Sequence, residues 1–123
     1  MTISCLIVDD NEHFLRAAQV LLEREGLVVM GVTSTSDEAV RQVETLHPDV
    51  VLVDIFLGDE SGLKLARRLA EGKRATVILI STHTEADLGD LIAESPAAGF
   101  LPKADVSAEA IRRIVEANGR RDT

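Results

Sequence analysis

Five apolar runs of strand length alternate with segments of helical period along the chain, and no other feature restricts the fold as tightly. The strand candidates are residues 3–8, 27–32, 49–53, 76–81 and 98–101. The middle three carry Val and other apolar residues on both faces, which suits parallel strands covered by helices above and below. Between the runs, Phe14, Ala17, Ala18, Leu21 and Leu22 predict an apolar helical stripe closed by Gly26. Thr35 and Glu38 predict a capping box ahead of Ala39, Val40, Val43 and Leu46, with Pro48 barring continuation. Leu63, Leu65, Ala66 and Leu69 lead to Gly72, and Leu88, Leu91 and Ile92 lead to a stop at Pro96. Ser107 precedes Ile111, Ile114 and Val115, whose helix is expected to end at Asn118 and Gly119.

This alternation predicts an α/β fold: one five-stranded parallel sheet in the flavodoxin-like order 2-1-3-4-5, with helices on both faces. At 123 residues the chain suits one domain, expected over residues 1–119, with 120–123 as a short tail. The lone Cys5 excludes an internal disulfide framework and a cysteine-rich zinc module, and reads as a small buried hydrophobe. No apolar stretch reaches the roughly 20 residues of a membrane span, and the chain opens on a strand candidate without a signal-peptide pattern. The expectation is a soluble protein in the reducing cytoplasm.

A net charge of −8 disfavours a phosphate backbone as a direct partner. The acidity is concentrated: residues 1–60 hold 12 acidic and 3 basic residues, against 9 and 10 in the remainder. The basic group Arg112, Arg113, Arg120 and Arg121 is expected to be a solvated helix face, and His13 and His47, which have no partner at metal-ligand spacing, surface or helix-end residues.

In open α/β sheets ligands collect at the carboxyl ends of the strands. There the first strand candidate runs into Asp9 and Asp10, the third into Asp54, the fourth into Ser81 and Thr82, and the fifth is followed by Lys103. One such Asp is ordinarily a cap or turn residue; the joint pattern is not explained that way. Crowded carboxylates raise one another's pKa unless a cation neutralises them, and Mg2+ suits an all-oxygen site that leaves room for waters and phosphate oxygens. Lys103 adds a mobile point charge and Ser81 a hydrogen-bond donor. Such a set suits a phosphoryl group. Asp54, ending the central strand, is the candidate nucleophile for an aspartyl phosphate, while Asp9 and Asp10 serve better as metal ligands, one direct and one through water.

The segments Leu6-Ile7-Val8-Asp9-Asp10, Val51-Leu52-Val53-Asp54 followed by Gly62, Ile78-Leu79-Ile80-Ser81 and Gly99-Phe100-Leu101-Pro102-Lys103 resemble a response regulator receiver domain of two-component signalling over nearly the whole chain. The resemblance implies phosphotransfer from a sensor histidine kinase to Asp54, with Mg2+ held by Asp10, Asp54 and the Phe56 carbonyl, and Asp9 acting through water. It implies that Ser81 and Lys103 hold the phosphoryl oxygens. It also implies that Ser81 and Phe100 are the switch residues, remodelling the face of helix four, strand five and helix five for an output protein or a dimer mate. By the same resemblance, Phe56 and His83 occupy positions that line the path of the hydrolytic water; both are bulky, so shielding of the acyl phosphate is expected, with positioning of that water by His83 as the alternative.

Three residues depart from the family pattern. Gly58 replaces a common proline and is expected to loosen the loop after Asp54. Thr82 replaces a small residue and is expected to narrow access, and Ala104 follows Lys103 where proline is frequent. The segment 100–104 looks most like receivers that carry a helix-turn-helix output domain, and none is expected within these residues.

The expected function is a phosphorylation-dependent switch that catalyses its own phosphotransfer and dephosphorylation rather than a metabolic enzyme. The alternatives are a pseudo-receiver that binds a partner without phosphate, an aspartate-nucleophile phosphatase and a flavin carrier. The phosphatase requires acids two apart, whereas Asp9 and Asp10 are adjacent. The flavin carrier requires aromatic residues beyond Phe14, Phe56 and Phe100.

Overall fold

The computed structural model describes residues 2–72 and 75–121, with the side chains of Glu85, Arg120 and Arg121 excepted. Strands β1 (Ser4–Val8), β2 (Val28–Thr33), β3 (Val50–Asp54), β6 (Thr76–Ser81) and β7 (Gly99–Pro102) form a parallel sheet in the order β2-β1-β3-β6-β7. Counting sheet strands alone, this is the order 2-1-3-4-5. Two short strands, β4 (Phe56–Leu57) and β5 (Glu60–Ser61), make a separate antiparallel ribbon.

The central strands β1, β3 and β6 are apolar on both faces because helices cover both. Leu6, Val8, Val51, Val53 and Leu79 pack toward a core shared with α2 (Ser36–Leu46), α3 (Gly62–Gly72) and α4 (Glu85–Glu94). Cys5, Ile7, Leu52, Ile78 and Ile80 pack toward α1 (Glu12–Arg24) and α5 (Ala108–Arg121). Burial raises the Cys5 thiol to about 11, aided by the Glu23 carboxylate. A short 3-10 turn, Lys103–Asp105, joins β7 to α5.

Several local expectations are corrected. β2 is an edge strand, and Val28, Met30 and Val32 are exposed because no neighbour covers them there. In α1 the buried positions are Leu15, Ala18 and Leu22, whereas Ala17 and Leu21 face outward, so the stripe is rotated from the one expected. Gly26 closes α1 at φ +96, its amide bonding Glu23 O while the Leu27 amide bonds Leu22 O, the paired pattern of a left-handed helix stop. Only half of the capping box forms: Thr35 Oγ1 accepts from the Glu38 amide, but the Glu38 carboxylate turns to Arg41 and Gln42. α5 runs on to Arg121 rather than stopping at Gly119. Arg112 and Arg113 lie on it, and the side chains of Arg120 and Arg121 lie outside the described residues. His13 is exposed, and His47 is the exposed left-handed cap of α2.

The parallel register brings the polar residues level. Val8 pairs with Val53, Asp54 with Ile80, and Ser81 with Pro102. Asp9, Asp54, Ser81 and Lys103 therefore leave the sheet along one edge.

Candidate functional site

Asp9 follows β1 directly, and its side chain works in two directions. Oδ1 accepts from the Asn11 amide at 2.9 Å, turning the chain into α1, whose first turn Asn11 in turn caps through the Phe14 amide. Oδ2 lies 2.6 Å from Lys103 Nζ. Lys103 Nζ also stands 3.1 Å from Asp54 Oδ2 and 4.7 Å from the centre of the Phe14 ring. The ammonium is thus pinned between two carboxylates over an aromatic face, with 12% of its side chain exposed. Lys103, expected as a positive point charge facing the acids, is placed against them, because β7 and the turn after it deliver the side chain inward.

Asp54 is buried at the end of the central strand, its Oδ1 accepting from the Phe56 amide at 3.2 Å. Burial lifts its carboxyl above the ordinary range, Asp9 adds repulsion, and the Phe56 amide and Lys103 oppose them without cancelling them. For Lys103, burial acts downward, but the hydrogen bonds and charges of Asp9 and Asp54 outweigh it and hold the ammonium above its usual value.

Gly62 fixes the backbone here. Its amide donates to Ile55 O at 2.9 Å, and a Cβ in its place would sit 1.9 Å from the Asp54 carbonyl oxygen. Only glycine lets α3 begin against the end of β3. The intervening loop forms a ribbon: Phe56 pairs with Ser61 and Leu57 with Glu60, while Glu60 Oε1 accepts from the Ser36 amide and ties the ribbon to the start of α2. Gly58 turns the ribbon at φ +61, a value proline's ring cannot reach.

Carboxylate oxygens of Asp9, Asp10 and Asp54 lie within 4.8 Å of one another, a group that could hold a metal ion. The donors are all oxygen, as a hard divalent cation requires. Asp9 Oδ2 is fully buried, with Lys103 Nζ 2.6 Å away as its partner. Lys103 pairs with the two buried carboxylates, Asp9 and Asp54, and the exposed Asp10 adds a third, so the edge carries negative charge in excess, and a cation fits it.

Ser81 is fully buried at the end of β6. Its Oγ accepts from the His83 amide at 3.0 Å and lies 3.3 Å from His83 Nδ1. The exposed imidazole stands against the Phe56 ring, with centroids 5.1 Å apart and planes inclined at 55°. Thr82 is exposed beside them. Phe100, on β7, is half-buried and packs on the α2, α3 and α4 side of the sheet.

Reading from sequence alone missed Phe14 as the seat of the Lys103 ammonium and Asn11 as the cap that starts α1. The only signal was their position within one helical turn of the acidic pair.

The response regulator receiver domain model matches residues 5–116. The Escherichia coli K12 response regulator UvrY is 32% identical over 115 residues, which cover 91% of this chain and 52% of UvrY. A protein-glutamate methylesterase/protein-glutamine glutaminase of Idiomarina loihiensis is 32% identical over 106 residues, covering 84% of this chain and 28% of that protein. The chain thus spans about half the length of the first relative and little over a quarter of the second. Among solved structures, the signal receiver domain of a modulated diguanylate cyclase from Desulfovibrio desulfuricans G20 superimposes with a TM-score of 0.79 at 32% identity, over 95% of this chain and 93% of that one. Among the described residues, no helix is long and apolar enough to cross a membrane. With the strand order, the acidic edge and these matches in agreement, the chain belongs to the response regulator receiver domain family.

Proposed function

We propose that this receiver is a phosphorylation switch whose acceptor is Asp54. Receiver domains of response regulators take their phosphoryl group from sensor histidine kinases, and this chain is read as doing the same in the cytoplasm. The observation that carries the assignment is the burial of Asp54 at the end of the central strand with Lys103 Nζ 3.1 Å from its Oδ2. An Asp54 oxygen attacks the phosphorus of a phosphohistidine, the N–P bond breaks and an acyl phosphate forms. Lys103 then exchanges its carboxylate contact for a phosphoryl oxygen, and Ser81 donates its hydroxyl proton to another.

Asp9, Asp10 and Asp54, with the Phe56 carbonyl, would hold Mg2+, which when bound neutralises charge on the transferred oxygens. Phe56 and His83 stand together over this edge, a placement suited to shielding the acyl phosphate from water. Ser81 and Phe100 couple the edge to the face made by α4, β7 and α5, which is read as the surface for an output protein or a second copy. The phosphate-independent binding module is the weaker reading, since nothing in such a role requires three carboxylates gathered at one edge with an ammonium paired to two of them.

Intact-mass spectrometry after acetyl phosphate treatment tests the assignment. The expected result is a gain of about 80 Da, one phosphoryl group, dependent on Mg2+ and absent from Asp54→Ala. An adduct that survives Asp54→Ala, or no adduct together with no beryllofluoride binding, refutes it.

A further inference from the structure

The geometry points to His83 as a positioning residue that holds the Ser81 hydroxyl out of the phosphoryl site and so opposes activation; this deepens, and rests on, the assignment of Asp54 as acceptor. Ser81 has one donor proton and two lone pairs. The His83 amide already donates to Oγ at 3.0 Å, and Nδ1 lies 3.3 Å from the same oxygen. One lone pair of Oγ remains, so the contact with Nδ1 can run in either direction according to the imidazole tautomer; we take Oγ as the donor, with the ring proton on Nε2. In that tautomer the only proton that Ser81 could offer a phosphoryl oxygen is committed to His83.

Close sequence spacing of Ser81 and His83 and one ring contact hold this arrangement in place. The residue between them, Thr82, makes the bond a local two-residue closure, which needs no help from distant elements. The Phe56 ring lies 5.1 Å from the imidazole and comes from the ribbon that follows Asp54. Ser81 can turn toward a phosphoryl group only by giving up its bond to Nδ1. The resting and engaged states thus differ by one hydrogen bond on the Ser81 side, and removing it shifts the population toward the engaged state.

Beryllofluoride binding with Mg2+, followed by 19F NMR, separates this role from shielding. His83→Phe keeps a ring against Phe56 but has no acceptor; His83→Asn removes the ring but places Oδ1 where Nδ1 stood. The expected result is beryllofluoride binding roughly five- to tenfold tighter in His83→Phe, the ratio for one lost hydrogen bond of ordinary net strength, with His83→Asn near wild type. Unchanged or weaker binding in His83→Phe overturns the proposal, as does equal tightening in both variants, which would implicate the ring. Imidazole 15N shifts of the unligated wild type should place the proton on Nε2; a proton on Nδ1 also overturns it. Wild type that neither gains a phosphoryl group from acetyl phosphate nor binds beryllofluoride refutes the acceptor assignment and this role together; wild type that gains the phosphoryl group but does not bind beryllofluoride, or that binds it with no His83→Phe effect, refutes this role alone.

Discussion

At Asp54 the environment works against the charge that chemistry needs. Burial and the neighbouring Asp9 raise its pKa, and the Phe56 amide with Lys103 only partly restores the ionised form. A raised carboxyl favours the fold while protonated: that stabilisation is complete below the unfolded value and is lost as pH rises through the folded one. Without divalent metal, ionised Asp54 is therefore a net cost at neutral pH, and Asp54→Asn should melt a few degrees above wild type at pH 7 in chelator. The gap should shrink as pH falls toward the acidic range, where wild type becomes protonated too. Thermal denaturation of both proteins over that range checks this, and an Asn variant less stable than wild type at pH 7 would contradict it. Lys103 shifts the other way in origin but in the same direction, held up by Asp9 and Asp54, so its contribution persists through neutrality and disappears only in strong alkali. Among these residues, the acids, Ser81 and Lys103 were legible in the sequence because each stands at the end of an apolar run. Phe14 was not, since its contact with Lys103 joins residues from opposite ends of the chain that only the closed sheet brings together.

Among the elements, helix starts carry more of the tertiary design than their local sequences announce. α5 begins at Ala108, whose amide donates to Glu25 Oε1 at 2.9 Å, while Ser107 Oγ accepts from the Ala110 amide. The Glu25 carboxylate, following α1, thus serves the positive end of a helix 83 residues away. Glu25→Ala should cost about 1 kcal/mol, the usual value of a capping or helix-dipole interaction, with Glu25→Gln keeping part of it. Urea denaturation with unchanged m-value checks this, and a loss below measurement would show that Ser107 alone suffices. The same principle explains where sequence reading succeeded and failed. Strand and helix identities were legible because periodicity is local, and Gly26 and Pro48 marked stops that the backbone obeys. The exposed side of β2, the ribbon at residues 56–61 and the turning of Glu38 toward Arg41 were not, because each depends on a neighbour that is absent or present in space rather than in sequence.

For the whole molecule, the carboxyl edge of the sheet is where stability, metal and proton meet. Three carboxylates meet there, and one ammonium pairs with the two that are buried, so the folded chain carries an electrostatic cost that its unfolded form does not. A divalent cation that binds the folded edge and not the unfolded chain stabilises by mass action, about 2.7 kcal/mol at 100 times its Kd. For a domain of this size that corresponds to a rise in Tm on the order of 10 °C. The rise should exceed that from NaCl at matched ionic strength, because screening acts weakly on buried charges, and most of it should be lost in Asp54→Asn. Protons compete with the metal for the same oxygens, so the benefit must fall as pH drops. In chelator wild type gains relative stability from protonating Asp54 on acidification, whereas in saturating Mg2+ it loses metal instead. Tm against pH should therefore differ in slope between the two conditions, and the curves should converge at low pH. Parallel curves would mean that any Mg2+ effect arises away from Asp54, and would leave the acidic edge without the linkage that its geometry requires.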